Sequence, residues 1–187
     1  MTAALPYANG PLHIGHLAGA YLPGDVYCRY QRLQGREVAF ICGSDEHGVP
    51  IMLRARREGV DPQEIVDRYH AEIDAAFQNL GVSFDHYGRT SSPTHHKTSQ
   101  AFFEHLAKQD QFVCKTESQL YDPEAQMFLA DRFVRGTCPS CDFNDAYGDQ
   151  CEKCGRALSP SELKNPRSAI TDATPEMRET THWYLPL

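Results

Sequence analysis

The amino-acid sequence predicts an α/β fold. Helices alternate with parallel strands over residues 1–108, and a smaller strand-rich insertion follows over 109–187. Two observations carry this. Helical periodicity and short apolar runs alternate through the first part, which is the pattern of strand–helix–strand units. Beyond about Gln109 the texture changes to short extended runs around a cluster of cysteines.

The elements follow in order. Pro6-Tyr7-Ala8-Asn9-Gly10-Pro11 is turn chemistry. A long helix is expected from His13 to Gly35, with Leu17, Tyr21, Val26, Tyr30 and Leu33 as its apolar stripe and a kink at Pro23-Gly24. Val38–Cys42 is a continuous apolar run suited to a buried parallel strand. The polar loop Gly43–Gly48 follows it, at the carboxyl end of the strand, where open α/β sheets bind ligands. A helix is expected from Pro50 to Glu58. Another begins at Asp61-Pro62-Gln63-Glu64, an N-cap with proline and acid in the first turn, and stops at Gly81. Val82–Tyr87 reads as a strand, and Ser92-Pro93 opens a helix carrying Phe102, Phe103 and Leu106. Phe112–Tyr121 and Met127–Arg135 read as strands, and 159–181 as a polar stretch.

The 187 residues carry 25 acidic and 18 basic side chains, a formal charge of −7. That balance argues against a chain whose main task is to grip a nucleic-acid backbone, so DNA is not an expected partner. No apolar run approaches the roughly 18 residues a membrane span needs. Seven cysteines, an odd number, with no basic-then-apolar leader at Met1–Gly10 imply a reduced, cytoplasmic setting.

Four of those cysteines form Cys138-x-x-Cys141 and, nine residues on, Cys151-x-x-Cys154-Gly155. Each pair wraps two thiolates around one side of a metal, and two pairs complete a tetrahedral Cys₄ shell. The expected cofactor is zinc. Four thiolates leave no open position for water, so its role is structural. Cys28, Cys42 and Cys114 read as small buried hydrophobes.

His13-Ile14-Gly15-His16 lies where the Pro/Gly turn becomes a helix. The two imidazoles, three apart, project from one side of the first turn, beside a helix end that favours negative charge. Gly15 lets a planar ring lie close to the backbone. Donors aimed at charge developing on an oligophosphate are each worth roughly 3–4 kcal/mol. That is the chemistry of nucleotidyl transfer onto a carboxylate.

The string Ala4-Leu5-Pro6-Tyr7-Ala8-Asn9-Gly10-Pro11-Leu12-His13-Ile14-Gly15-His16 closely resembles the signature of class I aminoacyl-tRNA synthetases, and most closely that of the methionyl family. Phe40–Gly48 is similar to that family's second ligand loop, and the Cys₄ knuckle falls where the family carries zinc. The resemblance runs over essentially the whole chain. It implies the first half of a Rossmann-like nucleotidyl-transferase domain at 1–108. It also implies a connective insertion at 109–187 whose zinc knuckle spans about 138–155.

It further implies methionine and ATP as substrates, the latter with magnesium, and tRNA as a partner met mainly through parts beyond this chain. The activity implied is methionine–tRNA ligation: formation of methionyl-adenylate, then transfer to tRNA. His13 and His16 would contact the ATP phosphates as catalytic residues, Gly15 would admit adenine and Asn9 would help place phosphates or ribose. Asp45 would pair with the α-ammonium of methionine, and Leu5 and Tyr7 would line its side-chain pocket. A zwitterion needs one carboxylate for its ammonium, and a thioether needs soft apolar walls. His47 is expected to orient the loop, Glu46 has no assigned role, and Arg54–Arg57 reads as an exposed helix face. The family's Lys-Met-Ser-Lys-Ser loop and its anticodon-reading domain are not found, so the chain reads as a fragment, expected to be inactive alone in tRNA charging. The alternative is an inactive, zinc-stabilised binding module.

Overall fold

A computed structural model describes residues 1–186. The chain divides into two compact units between Phe103 and Glu104, inside a helix.

The first unit is mixed α/β. Its sheet is built on β1 (Ile41–Ser44) and β2 (His86–Arg89), parallel and in register from Ile41–His86 to Ser44–Arg89. The N-terminal segment runs parallel along the other edge of β1, with bridges at Thr2–Ile41 and Tyr7–Asp45. Both strands sit a few residues later than the apolar runs that announce them. Phe40 and Asp85 explain the offset. The Phe40 amide donates to the Asp85 carboxylate at 2.6 Å, and the Asp85 amide to the Phe40 carbonyl at 2.8 Å. A side chain therefore closes the sheet there, and the ladder starts one residue later.

The helical run begins with α1 (Ile14–His16), passes through a π-turn at Leu17–Tyr21 and continues as α2 (Leu22–Leu33). The expected kink at Pro23 is replaced by this wide turn, with Pro23 in the first turn of α2, where it has no amide to lose. A π-turn adds one residue, which rotates all that follows by about 100°. The expected stripe is overturned, because Val26 follows Tyr21 by five residues, about 140° round the helix, and the two cannot share a face. Tyr21 is buried, but Val26, Tyr30 and Leu33 are exposed, Leu33 by 84%. The buried face instead carries Gly24, Asp25, Cys28 and Gln31.

Helix α3 (Val49–Glu58) ends at Gly59, whose φ of +68° only glycine adopts freely. Helix α4 (Pro62–Asn79) starts as its sequence predicts. Asp61 accepts the Gln63 amide at 2.8 Å, and Glu64 reaches back to the Asp61 amide at 3.3 Å. Its buried side chains Ile65, Val66, Tyr69, Ile73 and Phe77 pack with Tyr21, Cys42, Ile51 and Ala55 as the core. Helix α5 (Pro93–Lys108) closes the unit.

The second unit has two small antiparallel sheets. In the first, β3 (Val113–Asp122) pairs with β4 (Met127–Phe128) and, over nine residues, with β8 (Glu176–Tyr184). In the second, β5 (Val134–Thr137) lies between β6 (Ala146–Tyr147) and β7 (Lys164–Ser168). Two expectations change here. The single strand Met127–Arg135 is broken by a 3₁₀ turn at Asp131–Phe133, and the polar stretch contains β7 and most of β8. Cys28 and Cys42 are buried as expected, whereas Cys114 is exposed on β3. Among the described residues no helix is long and apolar enough to cross a membrane.

Candidate active site and metal centre

His13 is the N-cap of the helical run. Its Nδ1 accepts the amides of Gly15 at 3.1 Å and His16 at 3.3 Å, and the His16 Nδ1 accepts the His13 amide at 3.3 Å. This is a capping box made of two imidazoles, with the rings stacked at 3.6 Å. Backbone amides can only donate, so both Nδ1 atoms are acceptors. In the neutral rings the protons then reside on Nε2, and each ring presents an N–H outward. Both side chains are exposed. Gly15 is needed for this arrangement, since a Cβ there would lie 3.0 Å from the His13 Cε1.

Asn9 and Tyr7 lie on the turn just before, and with His16, Leu12 and Tyr21 they line a small cavity of about 120 Å³. Arg54 of α3 donates to the Asn9 carbonyl, pairs with Glu58 at 2.7 Å and lies over the Tyr69 ring at 4.6 Å. It holds the turn against the core, a role that the reading of an exposed face missed.

The turn and the Gly43–Gly48 loop are joined directly. The Asp45 amide donates to the Pro6 carbonyl and the Ala8 amide to the Asp45 carbonyl, both at 2.8 Å. Asp45 is half-buried, and its carboxylate receives the His47 amide at 3.4 Å. It does not cap α3, whose N-cap is Gly48. The Tyr7 hydroxyl accepts the Ile51 amide at the start of α3. Burial first, then the Asp45 charge, raises its pKa above the ordinary phenol value. Gly48 makes this possible: its φ is +127° and a Cβ would meet the Tyr7 oxygen at 2.6 Å.

Leu5 and Tyr7 line two different concavities. From Thr2 to Tyr7 is five residues, while the partner positions Ile41 to Asp45 are four apart, so the N-terminal segment carries one surplus residue, a β-bulge. One extra residue reverses the alternation of faces. Leu5 is 52% exposed and lines a concavity of about 840 Å³ with Cys42, His70, Tyr87 and Arg89.

A network that the sequence did not announce lies under the loop. The Glu46 side chain is fully buried. It accepts from Arg89 Nε at 2.8 and 3.0 Å, from Ser44 Oγ at 2.7 Å and from the Ser91 hydroxyl. Ser44 gives its one proton to Glu46, so His70 Nδ1, 2.7 Å from Ser44 Oγ, must be the donor on the other side. Burial first, and then the Arg89 charge, lowers the His70 pKa, so the ring is neutral near pH 7. His47 rests on the Thr90 carbonyl at 3.2 Å and on His96 at 3.4 Å, which tethers the loop's far end.

The second unit holds the cysteine cluster. All four sulfurs lie within 4.8 Å of one another, with Cys138–Cys154 at 3.9 Å and Cys141–Cys151 at 3.6 Å. A tetrahedron with metal–sulfur bonds of about 2.3 Å has edges of about 3.8 Å, so the set fits one metal ion. The two knuckles share one backbone plan. The Asp142 amide returns to the Cys138 carbonyl and the Gly155 amide to that of Cys151. Cys138 donates to the Phe143 carbonyl and Cys151 to that of Arg156. Asp142 and Gly155 take φ of +53° and +73°. Only Gly155 stood out in the sequence, though aspartate also tolerates this conformation.

Comparison with known proteins follows this geometry. The sequence profile of the family described as tRNA synthetases class I (M) matches residues 1–187. The chain is 66% identical to the methionine–tRNA ligase of Salinibacter ruber and 59% identical to that of Bacteroides fragilis, with all 187 residues aligned in both cases. It spans 26% and 28% of the length of those relatives. Among solved structures, the Mycobacterium tuberculosis methionyl-tRNA synthetase bound by methionyl-adenylate covers 97% of the chain at TM-score 0.64 and 20% identity. The match takes in 31% of that protein. LeuRS of Agrobacterium radiobacter K84, in a ternary complex with tRNA and LeuAMS, covers 99% at TM-score 0.65 and 22% identity, and 20% of that protein is matched. At such identities these two speak for the fold alone.

Proposed function

The chain belongs to the class I (M) tRNA synthetases, and from that premise we propose that it forms the ATP- and methionine-binding part of a methionine–tRNA ligase acting in the cytoplasm. One observation carries this reading. The turn before His13 and the Gly43–Gly48 loop are hydrogen-bonded through Asp45, Pro6 and Ala8, which supports a reading in which ATP and methionine bind side by side.

In the proposed reaction a methionine carboxylate oxygen attacks the α-phosphorus of ATP. An O–P bond forms, the bond to the β-phosphate oxygen breaks and pyrophosphate leaves. The nucleophile is already ionised, so no general base is needed. His13 and His16 direct Nε2–H donors at the charge that builds on the phosphates, with magnesium accompanying the nucleotide. Asn9 places the phosphates or ribose, Gly15 leaves room for adenine and Asp45 holds the α-ammonium. Tyr7 and Leu5 are proposed to line the pocket of the methionine side chain. The methionyl group then passes to a terminal hydroxyl of tRNA, releasing AMP.

Zinc is the proposed metal of the cysteine cluster. Cys138, Cys141, Cys151 and Cys154 would hold it, and it would supply folding stability to the insertion with no part in the chemical step.

The test uses a full-length hybrid in which residues 1–187 replace the matching segment of the 66%-identical relative. ATP–pyrophosphate exchange is expected with methionine and not with leucine, isoleucine or valine. Absence of methionine-dependent exchange in a zinc-loaded, folded hybrid would overturn the reading.

A further inference from the structure

Glu46 touches no substrate position in the reading above, yet it is the most fully enclosed charge in the loop. Three protein groups converge on its carboxylate, Arg89 Nε, Ser44 Oγ and Ser91 Oγ, with His70 behind Ser44. Arg89 is itself fixed from the other side by Asp67 at 2.5 Å. The backbone is tied as well. The Glu46 amide donates to Thr90 Oγ1 at 2.8 Å, and the Thr90 amide to the Ser44 carbonyl at 3.1 Å. A single buried carboxylate thus pins residues 44–46 to 89–91, while the amide and carbonyl of Asp45 are pinned to Pro6 and Ala8.

We propose that Glu46 is a positioning residue: its clamp on Arg89, Ser44 and Ser91 fixes the direction in which the neighbouring Asp45 carboxylate meets the ammonium of an amino-acid substrate. This rests on the assignment of Asp45 to the methionine ammonium. Glu46 and Asp45 are adjacent on an extended segment, so their side chains leave on opposite sides. Burying one in a saturated set of donors leaves the other a defined exit. A buried carboxylate is needed because only an ionised acceptor balances the Arg89 guanidinium and takes several short hydrogen bonds at once. Misplacing a substrate-holding group by a fraction of an ångström changes a binding step with no loss of fold.

The test has two arms. In the 187-residue chain, amide hydrogen exchange is followed in wild type, Glu46→Gln and the milder Thr90→Val. The clamp predicts faster exchange at Asp45 and Glu46, by about tenfold, with Ile65 and Ile73 of α4 unchanged. Equal exchange at 45–46 in all three proteins, or uniform acceleration that includes α4, overturns it.

In the hybrid, the same variants are assayed by pyrophosphate exchange, with 4-(methylthio)butanoate, a methionine lacking its ammonium, as inhibitor. The expected result is a methionine KM raised by about tenfold or more, an ATP KM within about twofold of wild type and an unchanged inhibition constant for the des-amino analogue. A parallel rise in both KM values, or weaker analogue inhibition to the same degree, overturns the proposal. If Asp45→Asn leaves the methionine KM unmoved, the assignment of Asp45 fails, and the exchange arm still decides whether Glu46 holds the loop.

Discussion

His13 and His16 lie face to face, ring centroids 3.6 Å apart, and each offers its Nδ1 to a backbone amide at the start of the helix. The pair caps the helix and fixes its own tautomers in the same contacts. In ¹⁵N spectra at pH 8, both rings should show an unprotonated Nδ1 and a protonated Nε2. His13→Ala should lower stability by about 1 kcal/mol through loss of the cap. In the hybrid it should also lower pyrophosphate exchange by a factor of about 10²–10³. His13→Asn should restore the cap and leave exchange low. Recovery of both together would show that the ring acts only as a cap.

Gly48 and Tyr7 should be coupled. Gly48→Ala forces a left-handed-side φ of +127° on alanine and drives a methyl group into the Tyr7 hydroxyl. A loss of about 1–3 kcal/mol is expected from the backbone alone, and more from the clash. Tyr7→Phe removes the oxygen that the methyl meets. The double variant should therefore be more stable than the sum of the singles predicts, measured by chemical denaturation as a mutant cycle.

Asp122 gives the second unit an acid limit. It is buried, which by itself raises a carboxyl pKa. The Ser168 and Thr171 hydroxyls and the Ala125 and Glu124 amides more than offset this and bring it to about 2. A depressed folded-state pKa contributes stability that is present above the unfolded value of 3.8 and is lost as pH falls toward 2. Asp122→Asn should be less stable than wild type at pH 6, and the gap should narrow below about pH 4. A gap independent of pH between 2 and 6 would contradict the assignment.

The isolated chain should bind one zinc ion, removable by a strong chelator or by acid, since thiolates must be deprotonated to ligate. Cys141→Ser or Cys151→Ser should abolish stoichiometric binding, measured by elemental analysis. Near-native amide protection should remain in α4 while it collapses in β5 and β6, on either side of the first knuckle.

What could be read from sequence was what is local. Asp61–Glu64 is complete within one turn and Cys138–Cys154 within one short hairpin-sized segment, and the fold forms the cap and gathers the four sulfurs. The expected α2 stripe fails on spacing: Val26 is five residues from Tyr21, so Val26, Tyr30 and Leu33 turn away from the buried face that Tyr21, Gly24, Asp25, Cys28 and Gln31 share. Strand β8 was missed because its Glu, Arg and Thr residues read as solvent-loving. They gain partners across to β3, as where Thr181 meets Thr116 at 3.0 Å. Glu46 and Arg89 are 43 residues apart, and only the fold brings them together. The same holds for Arg54 and Asn9, 45 apart.

The surplus residue between Thr2 and Tyr7 has a consequence for change by insertion and deletion. Removing one residue from Ala3–Pro6 would let the segment lie straight along β1 with its hydrogen-bond partners still in reach. Thr2 would keep its place against Ile41, and the residue two before Tyr7 would share its face. Composition would be almost untouched, yet the side chains between the two bridges would be dealt anew to the two faces. Between Thr2 and Tyr7, length is itself a structural variable, and a one-residue deletion acts as several substitutions made at once.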